Sequence, residues 1–236
     1  MHVAVGFMPA FKYRQKNSLK VLERGHKAHG YVLTLHMSIP QADEHETWIR
    51  QFFHLALFTA VFHLLQFTAS LLLWMSTNSA ALMSFGFDAL VSAIAALCLA
   101  ARIEREWRNR FVAFGYLAAS AGAVYLGGAM LWRGDRAAGS VLGIVLAAVS
   151  MLVIPIVGSY MKTLAVELRS QALKSAAIFT FGNSYLSMVL LIALLLNIGM
   201  ALRWGDPLGA LVMFPFMAQK GIQILLEEGK HEYVED

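Results

Sequence analysis

Asp88 stands in the run LMSFGFDALVSA, residues 82–93, with no lysine, arginine or histidine within ten residues on either side. A carboxylate in such surroundings has few uses. It binds a cation, carries a proton, or pairs with a group brought in from elsewhere in the chain. On a helix, Ser84, Asp88 and Ser92 recur every fourth residue and share one face. Two other stretches repeat the pattern. Thr59, His63, Gln66 and Ser70 are spaced four, three and four, and Thr180, Asn183, Ser184 and Ser187 also fall on one helical face. The economical arrangement turns the three stripes inward together. The hydroxyls are then expected to bond to their own backbone or to a neighbour. His63 and Gln66 read either as a satisfied core pair or as parts of a site shared with Asp88.

The elements that must position these residues are membrane helices. The 236-residue chain is 58% hydrophobic and only 14% charged, with a mean hydropathy of +0.59, where a soluble domain carries about 25% charged residues. Several runs reach the ~18–20 apolar residues that cross ~30 Å of hydrocarbon. Six spans are expected, at about 51–75, 80–101, 111–132, 139–160, 176–199 and 207–226. The fold class is all-α integral membrane, flanked by an N-terminal cytoplasmic segment (1–50) and a short acidic tail (229–236). The first 36 residues read as poorly ordered, and Met37 is a candidate true start. No signal peptide is expected, since the first apolar stretch begins near residue 51 and is too long for one.

Depth adds to the interest of the polar stripes. At about 1.5 Å per residue, Asp88 lies roughly 12 Å from the outer end of its span and Asn183 roughly 10 Å from the inner end of its own. An aspartate at a span's centre costs about 2.5–3.5 kcal/mol on insertion scales. Asp88 is therefore expected to be protonated, to pair with His63, or to serve transport, since bundles place substrate sites at this depth.

Charge sets the expected orientation. Sixteen lysines and arginines fall at the end where the chain begins and ends, Lys220 and Lys230 among them; Arg133, Arg136 and Arg203 fall at the other. The positive-inside rule then puts both termini in the cytoplasm. The net charge of +4 and pI near 9.3 follow from basic residues bordering the spans, which indicates a lipid surface and no nucleic acid. The one cysteine, Cys98, excludes an internal disulfide and reads as a small buried apolar residue. Small residues at four-residue spacing (Ala119, Ala123, Gly127 and Gly139, Gly143, Ala147) predict close helix packing within the bundle. Pro155 and Pro215 should kink their helices. In WGDP, Asp206 is expected to cap helix 6, with Pro207 at its first position. No nucleophile–base pair, glycine-rich phosphate loop or HExxH motif suggests an enzyme.

SFGFDALVSAIAAL on helix 2, SYLS on helix 5 and WGDPLGALV opening helix 6 together resemble the cation diffusion facilitator (cation efflux) family. The likeness is to a short bacterial branch without the cytoplasmic domain and covers about residues 50–228. It implies a six-helix antiporter that exchanges a divalent metal such as zinc for protons, commonly as a homodimer in the bacterial inner membrane. It also implies a metal site of two pairs of ligands, each one turn apart, on helices 2 and 5. Asp88 matches the first ligand, whereas the other three positions hold Ser92, Phe179 and Asn183. Phenylalanine cannot bind metal, and a hydroxyl and a neutral amide do so weakly. His63, with Gln66, is a candidate to complete a relocated site. The alternative is a transport-inactive relative, a structural or regulatory subunit of a membrane complex. No resident cofactor is expected.

Overall fold

The computed structural model describes residues 42–101, 105–168, 171–200 and 202–232, and all six expected spans are helices. They are α1 (Ala42–Thr77), α2 (Ala80–Ala100), α3 (Arg105–Arg133), α4 (Val141–Glu167), α5 (Gln171–Gly199) and α6 (Gly205–Glu232). Each contains a stretch long and apolar enough to cross a membrane. Among the described residues there is no strand. The chain is an all-α integral membrane protein. The expectations for residues 1–41, including Met37, lie outside the described residues.

Helix ends differ from the apolar runs. α1 begins at Ala42 and not near 51, α4 runs on to Glu167, α5 starts at Gln171, and α6 continues to Glu232 into the stretch expected to be a separate tail. The cause is ordinary: backbone hydrogen bonding need not stop where hydropathy falls, and Glu, Arg, Gln and Lys are good helix formers.

Two serines start helices sharply. Ser79 caps α2 by accepting from Leu82 N at 3.1 Å, and Ser140 caps α4 by accepting from Gly143 N at 2.9 Å. Before Ser79, Asn78 takes a left-handed φ of 55°, a conformation asparagine tolerates better than most residues. The chain thus reverses between α1 and α2 within two residues.

The helices associate most closely as α1–α2, α3–α6 and α4–α5, while α2 also touches α3, α5 and α6. α2 is accordingly the central element. Small residues set the close approaches. A Cβ on Gly127 of α3 would stand 2.9 Å from the Pro207 carbonyl oxygen of α6, and one on Gly143 of α4 would meet Leu194 of α5 at 3.0 Å. Both small-residue stripes are thus used between helices of this bundle. Helices α4 and α6 run through Pro155 and Pro215 without a break.

Candidate functional site

Polar residues from all six helices form one connected network in the interior. Its centre is Lys220 of α6, whose Nζ donates to Asp88 Oδ1 of α2 at 2.8 Å and to Asn183 Oδ1 of α5. The same ammonium stands 5.1 Å from the centroid of the Tyr116 ring of α3. Asp88 is therefore not isolated. Its partner is a lysine, where the sequence suggested protonation or pairing with His63.

Asn183 is the junction. While its carbonyl oxygen accepts from Lys220, its Nδ2 donates to Ser92 Oγ of α2 at 3.0 Å and lies 3.5 Å from His63 Nε2 of α1. Ser92 in turn shares a 3.0 Å hydrogen bond with the Tyr116 hydroxyl. On the far side of the imidazole, His63 Nδ1 is 2.6 Å from Gln66 Oε1, and Gln66 Nε2 donates to Ser150 Oγ of α4 at 2.5 Å. Ser150 completes the row by donating to the Leu146 carbonyl at 2.7 Å. An amide oxygen only accepts, so Nδ1 carries the hydrogen and a neutral ring keeps its Nε2 lone pair toward Asn183.

The three polar stripes all face inward. Thr59, His63, Gln66 and Ser70 are buried, as are Ser84, Asp88 and Ser92, and Thr180, Asn183 and Ser187. Most of their hydroxyls are satisfied within their own helix, Thr180 also lying 3.6 Å from Met161 Sδ of α4. Thr59, Ser84, Thr180 and Ser187 each donate to a carbonyl one turn back, at 2.7–3.0 Å. Ser92 is the exception and carries the link between Asn183 and Tyr116.

Sequence reasoning missed Lys220, Tyr116 and Ser150. From sequence Lys220 reads as one of the basic residues at the membrane border, because it lies only about 9 Å, six residues, from Leu226 where the span ends. A lysine so placed usually reaches for the near interface. Here the side chain follows the Cα–Cβ tilt toward the helix N-terminus and enters the bundle. The signal was present in the register. Asp206, Ala210, Met213, Met217, Lys220 and Ile224 alternate steps of four and three, and all six are buried. Tyr116 similarly stands in phase with Ala119, Ala123 and Gly127 on α3.

Above the network lies a cavity of about 120 Å³. His63, Ser92, Tyr116 and Asn183 bound it at depth, and it extends past Phe179 to Arg108 and Asn109 on the first turns of the α3 span. Phe179 thus supplies apolar wall. The cavity occupies the end of the bundle where α2 finishes and α3 and α5 begin.

At the opposite end Asp206 makes a second tie between α2 and α6. It was expected to cap α6, but α6 already includes it, and its carboxylate serves the neighbouring helix instead. Oδ2 accepts from Ala80 N at 2.7 Å and Ala81 N at 3.4 Å, while Oδ1 accepts from the Ser79 hydroxyl. The positive end of the α2 dipole favours a carboxylate there. α2 and α6 are therefore tied at two levels, by the Lys220–Asp88 ion pair at one and by the hydrogen bonds of Asp206 at the other.

Neither a family model nor a curated protein matches this chain. Among the described residues, no group of three or more His, Cys, Asp or Glu side chains forms that could hold a metal ion. The donors near Asp88 are instead an amide oxygen, two hydroxyls and one imidazole nitrogen. Such a set holds one positive charge, and Lys220 supplies it.

Proposed function

We propose that the chain is a proton-coupled secondary transporter of a small cation, with Asp88 as the exchange group and Lys220 as the internal cation that holds it between cargoes. One observation carries this reading: a buried Lys220–Asp88 pair, 2.8 Å apart, lying behind the floor of a cavity that extends toward one end only. Ionisable groups in a membrane interior mark ion pathways far more often than they serve packing. The Asp206 tie at the other end is consistent with a bundle that admits solute from one side at a time.

The exchange follows from charge balance. Arriving cargo competes with the ammonium for Asp88, and two positive charges beside one buried carboxylate are strongly disfavoured. Charge balance at the site therefore requires one proton to leave through the cavity for each monovalent cation that binds. The groups facing Lys220 are Asp88 from α2, Tyr116 from α3 and Asn183 from α5, with His63 of α1 beyond Asn183. The resemblance to cation-efflux proteins supports the antiport scheme and a homodimer in a bacterial inner membrane. Its divalent metal is less well supported, because a single carboxylate suits tetrahedral zinc poorly. With Lys220 withdrawn from the count, fifteen basic residues remain at the end where the chain begins and ends, against three. That bias favours cytoplasmic termini and a cavity facing the cytoplasm.

A second reading, a transport-inactive structural or regulatory subunit, is favoured by the completeness of the network: Lys220, Asp88 and Asn183 satisfy one another without cargo. Flux measurements separate the two. Reconstituted protein is expected to move at least one cation against a pH gradient, and Asp88→Asn to abolish it. Absence of flux for Zn²⁺, Mn²⁺, Fe²⁺, Na⁺ and organic ammonium ions alike would establish the second.

A further inference from the structure

We infer that the cargo is a small primary ammonium ion with a short apolar body, recognised in the place that the Lys220 ammonium occupies. The inference rests on the transport reading above and names its substrate class. The site as built already holds an R–NH₃⁺ group and meets it in three ways. Asp88 Oδ1 supplies the counter-charge at 2.8 Å, Asn183 Oδ1 accepts a second N–H, and the Tyr116 ring presents its face to the nitrogen at 5.1 Å. The Tyr116 hydroxyl is engaged by Ser92 at 3.0 Å, so it is the π-face that the cation meets. An aromatic face attracts an ammonium through its quadrupole but cannot enter the coordination shell of a metal.

The approach to the site fits the same guest. The cavity of about 120 Å³ is walled by Ala95, Ala96, Val112 and Phe179, with polar groups at depth and again at the mouth, where Arg108 and Asn109 stand, and among the described residues no carboxylate lines it. A divalent cation would shed its water there for neutral donors alone, a poor exchange without a carboxylate or thiolate beside them. A short alkyl chain instead lies against the apolar wall while its ammonium points inward. Two acceptors wait at the floor. The His63 Nε2 lone pair has only a 3.5 Å contact with Asn183, and Ser92 Oγ offers a second whenever it is the donor in its hydrogen bond with Tyr116. An entering ammonium donates to these first and then competes with Lys220 for Asp88 and Asn183.

The test uses the full chain in proteoliposomes under a pH gradient, with radiolabelled n-butylammonium as the probe and protein-free vesicles as the permeation background. Saturable butylammonium uptake above background is expected, abolished by Asp88→Asn and undiminished by a tenfold excess of Mn²⁺ or Zn²⁺. Tyr116→Leu is expected to weaken apparent affinity about 5- to 30-fold, the range of a desolvated cation–π contact, whereas Tyr116→Phe keeps the ring and stays near wild type. Asp88-dependent flux of Mn²⁺, Zn²⁺ or Na⁺ without butylammonium uptake overturns the inference and leaves the transport reading standing. Equal butylammonium affinity in wild type and Tyr116→Leu overturns it as well. Loss of every flux in the wild type removes the inference together with the transport reading.

Discussion

Lys220 and Asp88 are 132 residues apart in the chain and 2.8 Å apart in the fold. Both are buried, so the pair must be judged against the cost of breaking it. Removing one partner leaves a charge in the interior and typically costs about 3–5 kcal/mol, whereas replacing both by neutral side chains is often nearly neutral. Asp88→Asn and Lys220→Met are each expected to lower stability by roughly that amount, and the double variant to recover most of it. Chemical unfolding in mixed micelles checks the cycle. Additive losses would mean that the two residues do not act as a pair.

Asn183 stands where the cation-efflux resemblance expects a metal ligand, and an amide there leaves only Asp88 charged. Asn183→Asp would add a second carboxylate within reach of Asp88 and His63, giving the cluster of three strong ligands that is otherwise missing. The variant is expected to gain binding of Mn²⁺ or Zn²⁺. At a metal concentration a hundredfold above Kd, linkage predicts about 2.7 kcal/mol of added stability, read as an upward shift in thermal unfolding. Wild type should show no such shift. An unchanged midpoint in the variant would show that these side chains do not converge as closely as their hydrogen bonds indicate.

Asp88, Asn183 and Lys220 are not equally legible in the sequence. Asp88, Ser92, His63, Gln66 and Asn183 stand out from sequence because hydrocarbon penalises polar side chains, and a spacing of three or four fixes their shared face. That logic also yields six helices, since length and apolarity are enough to define a span. It fails on Lys220 for a physical reason. Near a span's end, one residue type serves two opposite ends: reaching out to headgroups or reaching in to a carboxylate. Only its phase with Met213, Met217 and Ile224 tells them apart. Ser150 and the role of Asp206 depend on which helices are neighbours, which periodicity within one helix does not encode.

Asp206 ties the N-terminus of α2 to α6 through Ser79, Ala80 and Ala81. Asp206→Leu leaves three buried donors unmatched, and each orphaned group costs about 1–3 kcal/mol. A loss of roughly 2–6 kcal/mol is expected once Ser79 turns its hydroxyl elsewhere. Asp206→Asn keeps one acceptor oxygen and should lose about half as much. Thermal unfolding in detergent distinguishes them. Equal midpoints for Leu and Asn would mean that the carboxyl group's hydrogen bonds do not hold this end together.

Adjacent glycines on α3 should answer oppositely to alanine. A Cβ on Gly127 would come 2.9 Å from the Pro207 carbonyl oxygen, a backbone atom that cannot turn aside, while Gly128 has nothing within 4 Å. Gly127→Ala therefore pushes α3 from α6 and is expected to cost about 1–3 kcal/mol as overpacking. Gly128→Ala is expected to be neutral or to gain up to about 1 kcal/mol through helix propensity. The pair also reports on the site, because α3 carries Tyr116 and α6 carries Lys220. On the transport reading, cation flux should fall in the first variant and persist in the second.

The row from His63 to Leu146 makes a prediction about a proton rather than an energy. Gln66 Oε1 accepts from His63 Nδ1 at 2.6 Å because Gln66 Nε2 is committed to Ser150 Oγ at 2.5 Å, and Ser150 is committed to the Leu146 carbonyl at 2.7 Å. Each bond fixes the sense of the next, and the neutral imidazole is left in its Nδ1–H form. Nitrogen-15 chemical shifts of labelled histidine distinguish the two tautomers directly. The Nδ1–H form is expected for His63 in the wild type. Gln66→Leu removes the acceptor and should shift the ring toward the Nε2–H form, in which Nε2 no longer offers a lone pair to the cavity. Ser150→Ala tests the next link, since it deprives Gln66 Nε2 of its acceptor while leaving the His63–Gln66 contact in reach. A partial shift is expected there, smaller than with Gln66→Leu. If the wild-type ring already carries its hydrogen on Nε2, the row runs in the other sense and His63 cannot accept from an entering ammonium.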